Sequence, residues 1–300
     1  ATDYARFSIK VPPGEHELRA LAYNEANSMS SRPALLRVVA NYDVTQKPNL
    51  YLLVIGINEY DNPAIALKYA VPDAELFART LQDRTAGLFG TRKLLLLTTK
   101  QQTTKTAIRQ AFQSLQDISP NDLFVFYVAS HGIIDEARYH MITSNVGVLS
   151  SRGIQREALA QDELRDLIAS IPSTKKVVVL DTCHSGALGA SLQEALMTRG
   201  LTEVTAMKVL SRAVGSTILS ASTSQQQALE GYKGHGLFTY VLAEGLNGKA
   251  DHDRDGFIKT LEIANYVEDE VPELAEQIFN HAQYPLVLPT GQGFPVVRIE

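Results

Sequence analysis

Two kinds of hydrophobic pattern divide the chain. From Tyr51 onward short apolar runs recur: Tyr51–Ile57 (YLLVIGI), Lys93–Thr98 (KLLLLT), Leu123–Ala129 (LFVFYVA), Val177–Asp181 (VVVLD) and Ser216–Ser220 (STILS). Runs of this length without alternation predict strands buried on both faces of a parallel sheet. Between them the spacing becomes helical. Leu76, Ala78 and Leu81 mark a helix over Pro72–Asp83, with Pro72 well placed at its start; Ile108, Phe112 and Leu115 mark Thr104–Asp117; Leu164, Leu167 and Ile168 mark Asp162–Ser170. Gly236–Leu246 and Thr260–Leu274 supply two more helices. The alternation predicts an α/β fold: a mostly parallel sheet of about six strands with helices on both faces.

Residues 1–47 differ in texture. Ala5–Val11, Glu15–Tyr23 and Ala34–Ala40 read as three short strands, separated by Pro12-Pro13-Gly14 and Asn24–Pro33. A sandwich takes about 100 residues. The segment is therefore expected to be a partial, immunoglobulin-like β-domain or strands that dock on the larger domain, with Gln46–Asn49 as the linker. The chain opens at Ala1 with no Met and runs straight into strand-like sequence. It is read as a fragment whose N-terminal domains are missing.

Composition narrows the classes. With 300 residues, 45% of them apolar and 20% charged, the chain has ample material for a core and is not disordered. A net charge of −5 gives no reason to expect nucleic acid or an anionic membrane as partner. No apolar run reaches the roughly 18–20 residues needed to cross a bilayer, and the N-terminus lacks a signal pattern. Cys183 is the single cysteine, which excludes a disulfide framework and a multi-cysteine zinc site. One unpaired thiol suits a cytoplasmic setting.

In open α/β sheets ligands sit beyond the carboxyl ends of the strands. Two strand ends deliver reactive groups there: Leu123–Ala129 runs into Ser130-His131-Gly132, and Val177–Asp181 into Thr182-Cys183-His184-Ser185-Gly186. A thiolate is a nucleophile, and a nearby imidazole can take its proton or hold it as an ion pair. Gly132 and Gly186 free the backbone beside each group, so that amides can approach a developing oxyanion. A lone cysteine is more often a small buried apolar residue, but the two motifs at two strand ends favour chemistry. His184 is read as structural. His140 and His281 show no metal-ligand spacing, and His235, within Gly234-His235-Gly236, is open to lining a cleft or simply starting a helix.

These motifs resemble the signatures of caspase-like cysteine peptidases, most nearly metacaspases and bacterial caspase homologues. The resemblance covers about residues 50–300 and includes YLLVIGINEY, LKYAVPD at Leu67–Asp73, SASTSQQQALE at Ser220–Glu230 and GHGLFTYVL at Gly234–Leu242. It implies a peptidase domain over 48–300, with a large-subunit part of about 48–186, a linker of about 187–215 and a small-subunit part of about 216–300, in a bacterial protein. By the same resemblance His131 is the base or imidazolium partner and Cys183 the nucleophile. The backbone amides of Gly132 and Cys183 form the oxyanion hole, and Ser220 lies among the substrate contacts.

Asp181 lies two positions before Cys183 on the same strand, where a carboxylate favours a cationic substrate side chain. Metacaspases carry an acid there and a second one whose place Asp73 matches, although Asp73 also suits the N-terminus of a helix. Two acids make a pocket for Arg or Lys, with Arg preferred where a bidentate fork fits. Gln225 stands where metacaspases often carry a further acid, so the pocket is expected to be less acidic than theirs. Arg199, Lys208 and Arg212 in the linker are candidate self-cleavage sites; an uncleaved surface segment accounts for them equally well.

Asp251-His252-Asp253-Arg254-Asp255-Gly256-Phe257-Ile258-Lys259-Thr260-Leu261-Glu262 fits the EF-hand calcium loop, with ligands from Asp251, Asp253, Asp255, the Phe257 carbonyl and Glu262. Lys259 within the loop counts against calcium and for a structural turn. The expected activity is hydrolysis of peptide bonds in a protein or peptide substrate after Arg or Lys, with no cofactor required and calcium left open. The alternatives are a catalytically silent scaffold or calcium-sensing module, and a transpeptidase, for which no amine-acceptor site is evident.

Overall fold

A computed structural model describes residues 9, 11, 13–22, 30–41, 47–135, 138–183, 217–221, 229–289 and 293–299, with the backbone alone for Ile134 and Cys183. The linker 187–215, and with it Arg199, Lys208 and Arg212, lies outside the described residues, as do Gln225, His184 and most of the expected strand Ala5–Val11.

The sheet is built from β3 (Leu50–Gly56), β4 (Arg92–Leu97), β5 (Leu123–Asp135), β8 (Lys175–Cys183), β9 (Thr217–Ser220) and β13 (Leu286–Leu288), following a separate hairpin of β1 (Gly14–Ala20) and β2 (Ala34–Ala40). Its spatial order is β13-β9-β8-β5-β3-β4. All neighbours are parallel except the edge pair β13–β9. The five apolar runs form β3, β4, β5, β8 and β9, and β13, which no run marked, adds a sixth strand as the antiparallel edge. Two short strands, β6 (Arg138–Met141) and β7 (Leu159–Ala160), extend the sheet from the far end of β5.

Successive strand residues face opposite sides, and both sides are apolar because both are covered. Leu52, Val54, Val125, Tyr127 and Val179 pack on one side with Phe77, Leu242 and Val267. These come from α1 (Ala70–Arg84), α5 (Leu237–Glu244) and α6 (Thr260–Phe279). Leu53, Ile55, Phe124, Phe126 and Leu180 pack on the other with Ile108, Phe112, Leu164 and Ile168. Those helices are α2 (Lys105–Gln113) and α4 (Gln161–Ser170), with α3 (Ser151–Glu157) adding Ile154. Among the described residues no helix is long and apolar enough to cross a membrane.

The close seating of α1 follows from one residue. A Cβ on Gly56 would come within 2.5 Å of the Ala70 carbonyl oxygen and 2.8 Å of the Ala74 Cβ, so only glycine lets the helix start directly over the end of β3. Asn58 then accepts from the Val71 amide at 3.0 Å and satisfies an orphan donor of the first turn. Asp73 is carried on the buried face of that turn, over the carboxyl end of the sheet.

Among the described residues the β1–β2 hairpin pairs only with itself, from Gly14 opposite Ala40 to Ala20 opposite Ala34. Leu35, Leu36 and Val39 are exposed. Asn49, in the expected linker, is tied to the larger domain: its amide donates to Asp122 and its side chain accepts from Thr91.

Candidate active site

Strand β5 does not stop at Ala129 but continues through the Ser130-His131-Gly132 motif, and β8 continues to Cys183. Their parallel register runs unbroken to the last pair, His131 beside Cys183. Neighbouring strands lie about 4.8 Å apart. The two residues far apart in the chain therefore stand side by side at one rim of the sheet.

His131 is fully buried. Its Nε2 lies 2.7 Å from the carbonyl oxygen of Ile65, and its backbone amide donates to the Tyr60 hydroxyl at 3.2 Å. A carbonyl can only accept, so Nε2 carries a proton. In the neutral ring Nδ1 is then the basic nitrogen. Gly132 is needed for packing. A Cβ there would lie 2.7 Å from the Tyr139 ring and 2.9 Å from the Thr182 hydroxyl.

Beside this rim is a pocket lined by Leu67, Ala70, Ala129, Leu229, Leu237 and Phe238 around three carboxylates, Asp73, Asp181 and Glu230. Asp73 and Asp181 are buried. Asp73 stands in the first turn of α1 and lines the pocket at once. Glu230 escaped the sequence reading. It belongs to β10 (Glu230–Tyr232), which forms a tight hairpin with β11 (His235–Gly236). Through Glu230 the described lining holds a third acid, while Gln225 lies outside the described residues.

Each buried carboxylate is held from behind. Asp73 Oδ1 accepts from the His235 Nδ1 at 2.9 Å, and the Gly236 amide donates to both of its oxygens, at 3.1 and 3.0 Å. Asp181 Oδ2 accepts from the Tyr127 hydroxyl at 3.2 Å and the Thr239 hydroxyl at 2.5 Å. Among the described residues no Lys or Arg forms an ion pair with Asp73, Asp181 or Glu230.

Crowded, dehydrated carboxyls hold protons more tightly. Burial first, and then the charge of Asp181, push Asp73 up to about 9, against the opposing pull of the Gly236 amide. Burial raises Asp181 to about 6, moderated by the hydroxyls of Thr239 and Tyr127. Glu230 is raised too, by burial and then by Asp181. All three carboxyls therefore hold their protons more tightly than exposed ones do.

Ser220 is not part of this lining. It is fully buried and pairs with Leu180, whose side chain faces the second side of the sheet, whereas Asp181 faces the first. One residue of parity separates it from the pocket.

The acidic loop carries features of both readings, calcium site and structural turn. Asp251, Asp253 and Asp255 bring carboxylate oxygens within 4.8 Å of one another. The Lys259 ammonium lies 2.8 Å from Asp253 and also bonds Asp255, so it already supplies a cation to the cluster. Glu262, the expected bidentate ligand, accepts from the Lys259 amide at 2.9 Å and caps α6. As arranged, these residues do not fit an EF-hand cage.

Comparison with known proteins agrees with the fold. The chain resembles a protein of Geobacter sulfurreducens (TM-score 0.55, 16% identity, covering 84% of this chain and 100% of that one). It resembles caspase-1 of Spodoptera frugiperda similarly (TM-score 0.53, 11% identity, covering 86% and 94%). No curated protein matches it. The family model for the caspase domain matches residues 50–290, and on that match, with the paired motifs at the rim of a parallel sheet, the chain belongs to the caspase-domain family of cysteine peptidases.

Proposed function

We propose that the protein is a cysteine endopeptidase that cuts after Arg, and less readily after Lys, through an acyl-enzyme on Cys183. One observation carries the specificity. Two buried carboxylates share a pocket beside the His131–Cys183 rim, and no described Lys or Arg neutralises them. Buried charges without a partner are costly and are found where a ligand completes them. A guanidinium offers a planar fork of donors that suits two carboxylates better than an ammonium does. An acidic side chain would meet like charge and be rejected.

The chemistry follows from the tautomer. With Nε2–H given to Ile65, Nδ1 of His131 takes the thiol proton and the thiolate attacks the scissile carbonyl. The amides of Gly132 and Cys183 are proposed to hold the oxyanion, and His131 returns its proton to the leaving amine. Water then hydrolyses the thioester, so no cofactor is required. The same preference makes Arg199, Lys208 and Arg212 substrates for self-processing of the linker. We read the setting as cytoplasmic, where a lone thiol stays reduced.

The test is hydrolysis of paired fluorogenic peptides that differ only in ending on Arg or Asp, with Cys183→Ala as control. Turnover of the Arg peptide alone, abolished in the variant, supports the reading. Cleavage of both refutes the specificity, and cleavage of neither leaves a scaffold. Mass spectrometry of the purified chain reads self-processing directly, as fragments ending at Arg199, Lys208 or Arg212.

A further inference from the structure

A pocket for a cation sets two demands that conflict. Its carboxylates must be fixed in place, yet the groups that fix them must not bring the positive charge the ligand is to supply. Asp181 meets both through two hydroxyls. Asp73 meets them through the Gly236 amide and an imidazole. That imidazole belongs to His235, which the sequence left open between lining a cleft and starting a helix.

We propose that His235 is a specificity-determining positioning residue, whose Nδ1–H holds the Asp73 carboxylate in the orientation that receives the substrate's cationic side chain. This rests on the reading of the pocket as the site for Arg or Lys. The Gly236 amide alone spans both oxygens of Asp73 and leaves the carboxylate free to tilt about that N–H. The second donor on Oδ1 removes the freedom and leaves Oδ2 facing the interior. A Cβ on Gly236 would lie 2.9 Å from this Oδ2 and 3.8 Å from Oδ2 of Asp181, so both oxygens border one small space.

The ring acts here as a neutral donor. Burial, and then the nearby charge of Arg79, lower the His235 pKa, so protonation near pH 7 is disfavoured. A lysine or arginine in its place would pair with Asp73 and cancel the charge. The hairpin fixes the ring's position as well. Lys233 at its turn donates to the Tyr240 hydroxyl at 2.7 Å and lies 4.7 Å from that ring's centre and 5.2 Å from that of Tyr232, tying the turn to α5.

The experiment compares wild type, His235→Ala and His235→Asn on the Arg-ending peptide. Asparagine can place an amide N–H close to where Nδ1–H stood; alanine cannot. For His235→Ala, KM is expected to rise about tenfold, the loss of one hydrogen bond to a charged acceptor, while kcat falls by less than about threefold. His235→Asn should recover most of the KM. Alkylation of Cys183 by iodoacetamide should keep its wild-type rate in both, which shows that the reacting pair is intact. A His235→Ala variant with wild-type KM, a loss confined to kcat, or His235→Asn no better than His235→Ala would overturn the inference and leave the peptidase reading standing. A wild-type protein that cleaves no Arg peptide would overturn both.

Discussion

Replacing Asp181 with asparagine should make the protein more stable and less active at the same time. Asparagine keeps the shape and one acceptor, so the Tyr127 and Thr239 hydroxyls retain a partner. What it removes is a charge in a dehydrated place. Burial raises the Asp181 carboxyl from 3.8 to about 6, so the folded chain binds its proton more tightly than the unfolded chain does. Such a group costs nothing below pH 4, and its cost grows through the window from about 4 to 6 and is complete above it. Two pKa units correspond to on the order of 3 kcal/mol. For a domain of this size that is roughly a 5–10 °C rise in Tm. Asp181→Asn should therefore melt several degrees above wild type at pH 8 and near it at pH 4. Loss of one buried charge facing the guanidinium should lower kcat/KM for the Arg peptide by about 100-fold, the effect of roughly 3 kcal/mol. A scanning melt at both pH values and a kinetic assay read the two effects. An ordinary damaging substitution lowers both quantities, so a variant destabilised at pH 8, or one that cleaves normally, refutes the reasoning.

A small guanidinium such as agmatine, which stays charged throughout, should compete with the Arg peptide more strongly as pH rises from about 6 to 9. Asp73 is pushed up to about 9 and must give up a proton to pair; Asp73→Asn should flatten the profile of Ki against pH, and a wild-type Ki that is flat or rises would contradict this. Gly236→Ala should abolish Arg cleavage yet leave Cys183 open to iodoacetamide, because its methyl would sit 2.9 Å from Asp73 and occupy the space between the acids; undiminished cleavage would show that the side chain does not enter there. Millimolar calcium should change neither Tm nor activity, since Lys259 already bridges two of the three aspartates. A Tm raised by calcium would place a metal in that loop.

The parallel strands were legible because burial on both faces makes them plain apolar runs, and Tyr51–Ile57 and Leu123–Ala129 read as such, matching β3 and the first part of β5. The extension of β5 and β8 was not, since Ser130, His131, Thr182 and Cys183 are polar or reactive and look like loop after an apolar run. Register joined them, and register is a tertiary property. Asp181 was legible by its parity with Cys183. Ser220 pairs with Leu180 across β8 and β9, which puts its side chain on the other side of the sheet from Asp181. Glu230 was passed over, and His235 was left open between lining a cleft and starting a helix. They sit on strands of three and two residues around Gly231, Lys233 and Gly234, all at positive φ, too short for any period to register. The helix α6, with Pro272 inside it, outran its expected end at Leu274 and continued to Phe279, held by its packed face and closed by Asn280 in the left-handed conformation.

The account comes down to whether a sulfur at the sheet rim attacks the carbonyl of a residue whose cationic side chain lies among three acids. Peptides carrying an electrophilic ketone after Arg or after Asp, incubated with the protein and mapped by mass spectrometry, measure this in one step. The account predicts a single adduct on the Cys183 peptide from the Arg probe and none from the Asp probe. Equal labelling by both, or an Arg adduct anywhere but Cys183, would contradict it.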